Sequence, residues 1–139
     1  CAFNWCGSVT SLTIPNSVTS VGRNAFDNCS SLQNLVFPEN CNTVGTYAFN
    51  RCSKLESITF NGNISKINNY TFASCSVLNT ILFNGNTSVP QLTNANALSS
   101  VPVTCKIVVP DELYDSWIAA TNWSTYASYI IKKSDYDAL

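Results

Sequence analysis

Seven cysteines are the residues of this chain best suited to chemistry. As thiolates they ligate soft metals or attack electrophiles, and in pairs they close disulfides. Histidine is absent, which removes the commonest general base and the commonest metal ligand together, and with them every Ser-His-Asp or Cys-His mechanism. Ser, Thr and Tyr abound, but nothing pairs one of them with a base, and no glycine-rich phosphate loop occurs. The residues therefore point to a chain that is not an enzyme, with no catalytic residue, no metal site and no cofactor.

The spacing of the cysteines argues for packing over chemistry. Cys6, Cys29, Cys52 and Cys75 recur every 23 residues. Zinc requires ligands that converge on a tetrahedron, whereas a column of stacked residues makes a line. Rungs about 4.8 Å apart lie within disulfide reach, yet in a register-true stack the Cβ vectors run parallel and do not face each other. Most thiols are therefore expected to be free and to pack as small hydrophobes. Cys41 stands where Val18 and Ile64 stand in neighbouring copies, while Cys1 and Cys105 fall outside these columns and are the expected reactive thiols. Asp111, Glu112 and Asp115 could suggest a cation site, but they lack the dense Asp/Asn spacing and central Gly of a calcium loop, and acids gather at a helix N-terminus for electrostatic reasons. Asn28, Asn63, Asn69, Asn86 and Asn122 each begin an Asn-x-Ser/Thr glycosylation pattern, in a composition where chance matches are expected.

The elements that position these residues follow from the same period. Phe3, Phe26, Phe49 and Phe72 form one column. Val9, Leu32, Leu55 and Leu78 form another, as do Leu12, Leu35, Ile58 and Ile81, and then Ile14, Phe37, Phe60 and Phe83. Around Leu35-Val36-Phe37 the pattern alternates at period 2, which predicts one short strand per copy, ended by Pro15 and Pro38 or by Asn61-Gly62 and Asn84-Gly85. Such a unit buries its faces only by stacking on its neighbours, so the strands must form a parallel sheet. Val18 and Val21, Cys41 and Val44, and Ile64 and Ile67 are expected to seal the opposite wall. Thr87 and Pro90 occupy those columns in the fourth copy, which predicts that regular winding ends there. A degenerate fifth copy from about residue 95 follows with a three-residue offset: Ala97-Leu98 for Ala-Phe, Val101 for Cys, and Ile107-Val108-Val109-Pro110 for the strand. After it, Asp111 is a plausible N-cap. Leu113, Trp117 and Ala120 share a helix face, and a second short helix is expected to bury Trp123, Tyr126, Ala127 and Ile130.

Composition limits the partners. The chain is 45% apolar with no apolar run near the roughly 20 residues of a membrane-spanning helix. Only 11% of residues are charged and the net charge is −1, so no basic stripe is present to recruit nucleic acid. Cys1 stands inside the first repeat and no signal peptide precedes it, which reads as a fragment or a processed form.

The pattern Leu-x-x-Leu-x-Phe-Pro, Val-x-x-Val-Gly, Ala-Phe-x-x-Cys-x-x-Leu closely resembles the BspA-like, or treponemal-type, leucine-rich repeat. The likeness is strict over residues 2 to about 84 and looser to 110, and Val109-Pro110-Asp111-Glu112-Leu113-Tyr114-Asp115-Ser116-Trp117 with Asn122-Trp123-Ser124 resembles the C-terminal cap of bacterial members. The resemblance implies a leucine-rich-repeat solenoid, with short parallel strands in a right-handed superhelix over residues 1–110, and a small helical cap over 111–139. It also implies an extracellular or cell-surface location in host-associated bacteria, often with adhesion. The family motif carries no catalytic or ligand-binding residue.

The surface left for function is the outward row of the sheet: Ser11 and Thr13, Asn34 and Val36, Ser57 and Thr59, Thr80 and Leu82, Lys106 and Val108. This flat, weakly charged, hydroxyl-rich ribbon suits a protein or glycan partner, or is a solvated sheet face. The expectation is a non-catalytic adhesion or protein-binding module. The alternative is a structural spacer that displays another domain.

Overall fold

The computed structural model describes residues 7–139. Nine short strands make two parallel sheets. The main sheet is built from β2 (Asn34–Phe37), β4 (Ser57–Phe60), β6 (Thr80–Phe83), β8 (Lys106–Val109) and β9 (Ile130–Lys132), in that order. The narrower return sheet runs β1 (Ser20–Val21), β3 (Thr43–Val44), β5 (Lys66–Ile67) and β7 (Gln91–Leu92). Alternate burial along β2, β4 and β6 reflects the period-2 pattern of their sequence. Leu35, Ile58, Ile81 and Ile107 stand in one register and Asn34, Ser57, Thr80 and Lys106 in the next, as the repeat spacing requires. The first copy joins this sheet only through a bridge from Ser11 to Asn34.

Between the sheets lie two columns of phenylalanine. Phe26, Phe49 and Phe72 stack at 5.4 and 5.5 Å, and Phe37, Phe60 and Phe83 at 5.6 and 5.5 Å. The columns meet edge to face, as at Phe26–Phe37 and Phe60–Phe72. All six rings are buried, each stabilising the fold by about 1.5–3 kcal/mol through apolar burial.

The turns that carry the first column are held by a ladder of backbone hydrogen bonds. Asn24, Phe26 and Asn28 N–H groups donate to Thr46, Ala48 and Asn50 carbonyls on the next rung, whereas Ala25, Asp27 and Cys29 donate back to Gly22, Asn24 and Phe26. Donors alternate in direction because left-handed residues flank each phenylalanine: Asn24, Tyr47 and Tyr70 before it, and Asn28, Arg51 and Ser74 after it, with φ of 56–60°. Each such residue costs on the order of 1 kcal/mol, offset by the ladder it permits.

The return sheet continues where the sequence predicted an end. Residues before β7 carry an insertion, so Leu92 takes the place beside Ile67, and Pro90 is buried. The buried Asn86 side chain makes this possible: its amide donates to the Ile64 carbonyl at 2.8 Å and its Oδ1 accepts from the Ile64 N–H at 3.3 Å, replacing the missing strand contact.

The C-terminal segment closes the stack. A single 3-10 turn (Asp111–Leu113) leads into α1 (Tyr114–Ala119), a 3-10 segment spans Trp123–Tyr129, and α2 (Lys133–Asp137) follows β9. Trp117 packs against Phe83 at 5.0 Å and Trp123 packs edge-on to it at 6.0 Å, so two indoles cover the last rung. The segment departs from expectation twice. Ile130 begins a fifth parallel strand instead of lying on a helix, because β8 presents an open edge whose backbone groups need partners. Asp111 does not cap its own turn: its Oδ1 accepts from the Ser134 N–H of α2 at 3.0 Å, joining the two ends of the cap.

Candidate functional site

The thiols are placed for packing. Cys29, Cys41, Cys52, Cys75 and Cys105 are all buried, and Cys41, Cys52, Cys75 and Cys105 form no disulfide; Cys1 and Cys6 lie outside the described residues. The Sγ of Cys52 donates to the Phe26 carbonyl and that of Cys75 to the Phe49 carbonyl, each at 3.1 Å, so each thiol adds a second donor to a carbonyl of the rung before that already accepts a backbone N–H. Burial pushes the Cys52 thiol up to about 12, reinforced by its neighbour Cys29, and raises Cys75 well above the ordinary thiol range, reinforced by Cys52 and Cys105. Cys105 corrects the sequence reading. It is only 1% exposed and its thiol is also pushed up to about 12 by burial. A protonated, inaccessible thiol is a poor nucleophile. Its side chain turns inward because the strand that follows, Ile107-Val108-Val109, is buried on both faces.

The other polar groups are structural as well. Among the described residues no group of three or more His, Cys, Asp or Glu is placed to hold a metal ion. Hydrogen bonds from Ser134 hold the Asp111 carboxyl below its ordinary range. Of the glycosylation patterns, Asn86 and Asn122 have their amide nitrogens committed inside the fold, Asn122 donating to the Leu92 carbonyl at 2.7 Å, whereas Asn63 and Asn69 are exposed. The buried Asp27 carboxylate accepts from Asn24 at 2.9 Å, Asn50 at 3.1 Å and Arg51 at 3.5 Å, tying two rungs together.

What remains is the outer face of the main sheet. Ser11, Thr13, Asn34 and Val36 are exposed, and Ser57, Thr59, Thr80, Leu82 and Lys106 are half-buried. Asn34, Ser57, Thr80 and Lys106 form one row, and Val36, Thr59 and Leu82 form the parallel one. Along the polar row the Ser57 hydroxyl donates to Asn34 Oδ1 at 2.6 Å. Val36, at 55% exposure, is the most open apolar residue of the rows, and Ser11, Thr13, Asn34 and Val36 help line a shallow concavity of about 420 Å³ at this end of the face. Val108 does not belong to it: the side chain is fully buried, because the C-terminal helix packs across β8. The available face therefore stops at Leu82 and Lys106.

Sequence reasoning missed the turn edge. Tyr47 and Tyr70 stack there at 5.1 Å with planes 9° apart, and Thr93 Oγ1 donates to Asn69 Oδ1 at 2.9 Å on the same edge. The 23-residue spacing of the two tyrosines was the available signal.

The BspA type leucine rich repeat region matches residues 1–114, in six copies. Among solved structures, that of the T. pallidum leucine rich repeat protein is similar at 25% identity with a TM-score of 0.61, over 83% of this chain and 50% of its own. The chain thus spans half the length of that relative. No curated protein matches the sequence.

Proposed function

The chain belongs to the BspA-type leucine-rich repeat family, and from that premise we propose that it is a non-catalytic adhesion module, displayed outside the cell, that binds a protein through the outer face of its main sheet. The observation that carries this reading is the pairing of two aligned rows on one rigid surface: Asn34, Ser57 and Thr80 supply hydrogen-bonding groups at each rung, and Val36, Thr59 and Leu82 supply apolar contact beside them. A central apolar strip with polar neighbours is the layout of protein interfaces. Near-absence of charge on the rows, Lys106 apart, favours a partner recognised by shape and hydrogen bonds over one steered by charge. The buried thiols and the absence of histidine support the non-catalytic part of the reading. No helix of the described residues is long and apolar enough to cross a membrane.

The test is binding of the purified chain to extracellular-matrix proteins, fibronectin and laminin among them, compared with a Thr59→Glu/Leu82→Glu double variant. The expected result is a matrix partner for the wild type and loss of binding in the variant with an unchanged unfolding midpoint. Binding retained in full by the double variant would refute the face, and binding of none of the proteins by the wild type would favour a spacer.

A further inference from the structure

Two tyrosines sit where the backbone tolerates a bulky side chain poorly. Tyr47 and Tyr70 both adopt the left-handed conformation, with φ of 59° and 56°, a region where large residues are strained and Asn is favoured. One rung earlier the same position holds Asn24, with φ 56°, so the turn is built without an aromatic ring. Strain kept at a surface position points to a use for the side chain.

The surroundings say which use. Tyr70 is 37% exposed and Tyr47 half-buried. Among the described residues neither phenol has a hydrogen-bond partner, and no third ring stacks on the pair. The rungs on either side carry shorter carboxamides: Asn24 before the pair, whose Nδ2 donates to Asp27 Oδ2 at 2.9 Å, and after it Asn96, whose Oδ1 accepts from the Tyr70 N–H at 3.4 Å. The stack therefore ends, on each side, in an aromatic face with a carboxamide one rung away. Segments 46–48, 68–71 and 93–96, which carry the pair and the rung after it, contain no charged residue, whereas the Asn24 rung before them carries Arg23 and Asp27.

We propose that the Tyr47–Tyr70 edge is a binding site for a neutral oligosaccharide. The apolar C–H faces of a sugar ring stack on an aromatic face, and its hydroxyls pair with the two phenols, which both donate and accept, and with the Asn96 amide nitrogen, which donates. A nucleic acid or an acidic glycan would also stack or hydrogen-bond here, but it would find no counter-charge on these segments. The site is separate from the sheet face of the proposed protein-binding function, and neither reading depends on the other.

The experiment is ligand-observed NMR on the purified chain at millimolar cellohexaose, chitohexaose or mannohexaose, with a heparin hexasaccharide as the charged comparison. The variants are Tyr47→Asn and Tyr70→Asn, which relieve strain at positions where Asn24 shows the turn to be sound, so that loss of binding is not loss of fold. The expected result is that one neutral hexasaccharide binds and that either variant weakens it by about tenfold, while Thr59→Glu/Leu82→Glu leaves it unchanged. The proposal is overturned if none of the three neutral sugars binds, if heparin alone binds, or if both tyrosine variants bind as the wild type does.

Discussion

Gly85→Ala should damage this fold out of proportion to its size, whereas Gly22→Ala should not. Neither glycine has a positive φ, so conformational freedom is not the issue. A Cβ on Gly85 would lie 2.0 Å from the Asn61 carbonyl oxygen and 2.5 Å from its carbon, where ordinary contact begins at 3.4 Å. Both atoms are backbone, so no side chain can swing aside. The rungs must part locally by on the order of an ångström, which strains the adjoining bond from the Asn84 N–H to the Phe60 carbonyl, now 2.9 Å. Overpacking costs about 1–3 kcal/mol and the weakened hydrogen bond about 1 kcal/mol more, giving an expected loss of about 2–4 kcal/mol. At Gly22 a Cβ meets nothing within 4 Å, and Ala there should stabilise by about 0.4–1 kcal/mol by restricting the unfolded chain. Urea unfolding followed by circular dichroism, with the m-value checked for constancy, measures both. Equal effects of the two substitutions, or a loss below about 1 kcal/mol at Gly85, would refute the claim that backbone contact between rungs sets this residue.

Further outcomes follow from the same coordinates. Alkylation of the native chain, read by peptide mapping, should leave Cys29, Cys41, Cys52, Cys75 and Cys105 unmodified, and alkylation after denaturation without reductant should modify all five; a bridge between any two of them would overturn the stacked-thiol reading. Among the described residues Trp117 Nε1 is buried without a hydrogen-bond partner, whereas Trp123 Nε1 donates to the Pro90 carbonyl at 2.7 Å. Trp123→Phe should therefore destabilise more than Trp117→Phe by about 1 kcal/mol, and the opposite order in thermal or urea unfolding would contradict the assignment. The Asp111 carboxyl has a folded pKa below its unfolded one. Its bond to Ser134 thus contributes fully above about pH 4, the unfolded range, and is lost as the pH falls through the folded pKa. The protection of α2 amides, taken relative to their intrinsic exchange rate at each pH, should fall on acidification in the wild type and already be low at neutral pH in Asp111→Ala; equal protection in the two at neutral pH would remove Asp111 from this role.

Residue spacing alone was enough to establish the stacked solenoid, the pairing of each strand with the next and the inert cysteine column. A repeated sequence can bury its apolar columns only by translating one rung onto another, so sequence distance becomes spatial distance. The rows Asn34–Ser57–Thr80 and Val36–Thr59–Leu82 were legible for that reason. The close approach at Gly62 and Gly85 was not: Asn-Gly reads as a turn, and only the stacked backbones show that a Cβ would strike the rung before. Asn86 read as a possible glycan acceptor until its amide was found replacing a strand contact to Ile64. Where the period stops, the buried faces of Trp117 and Trp123 were still legible, and tertiary structure decided the rest. Burial of Cys105 and Val108, the strand at Ile130 and the capping of α2 by Asp111 all arise where the last rung must satisfy an open edge once. A contact made once leaves no recurring column for the sequence to display.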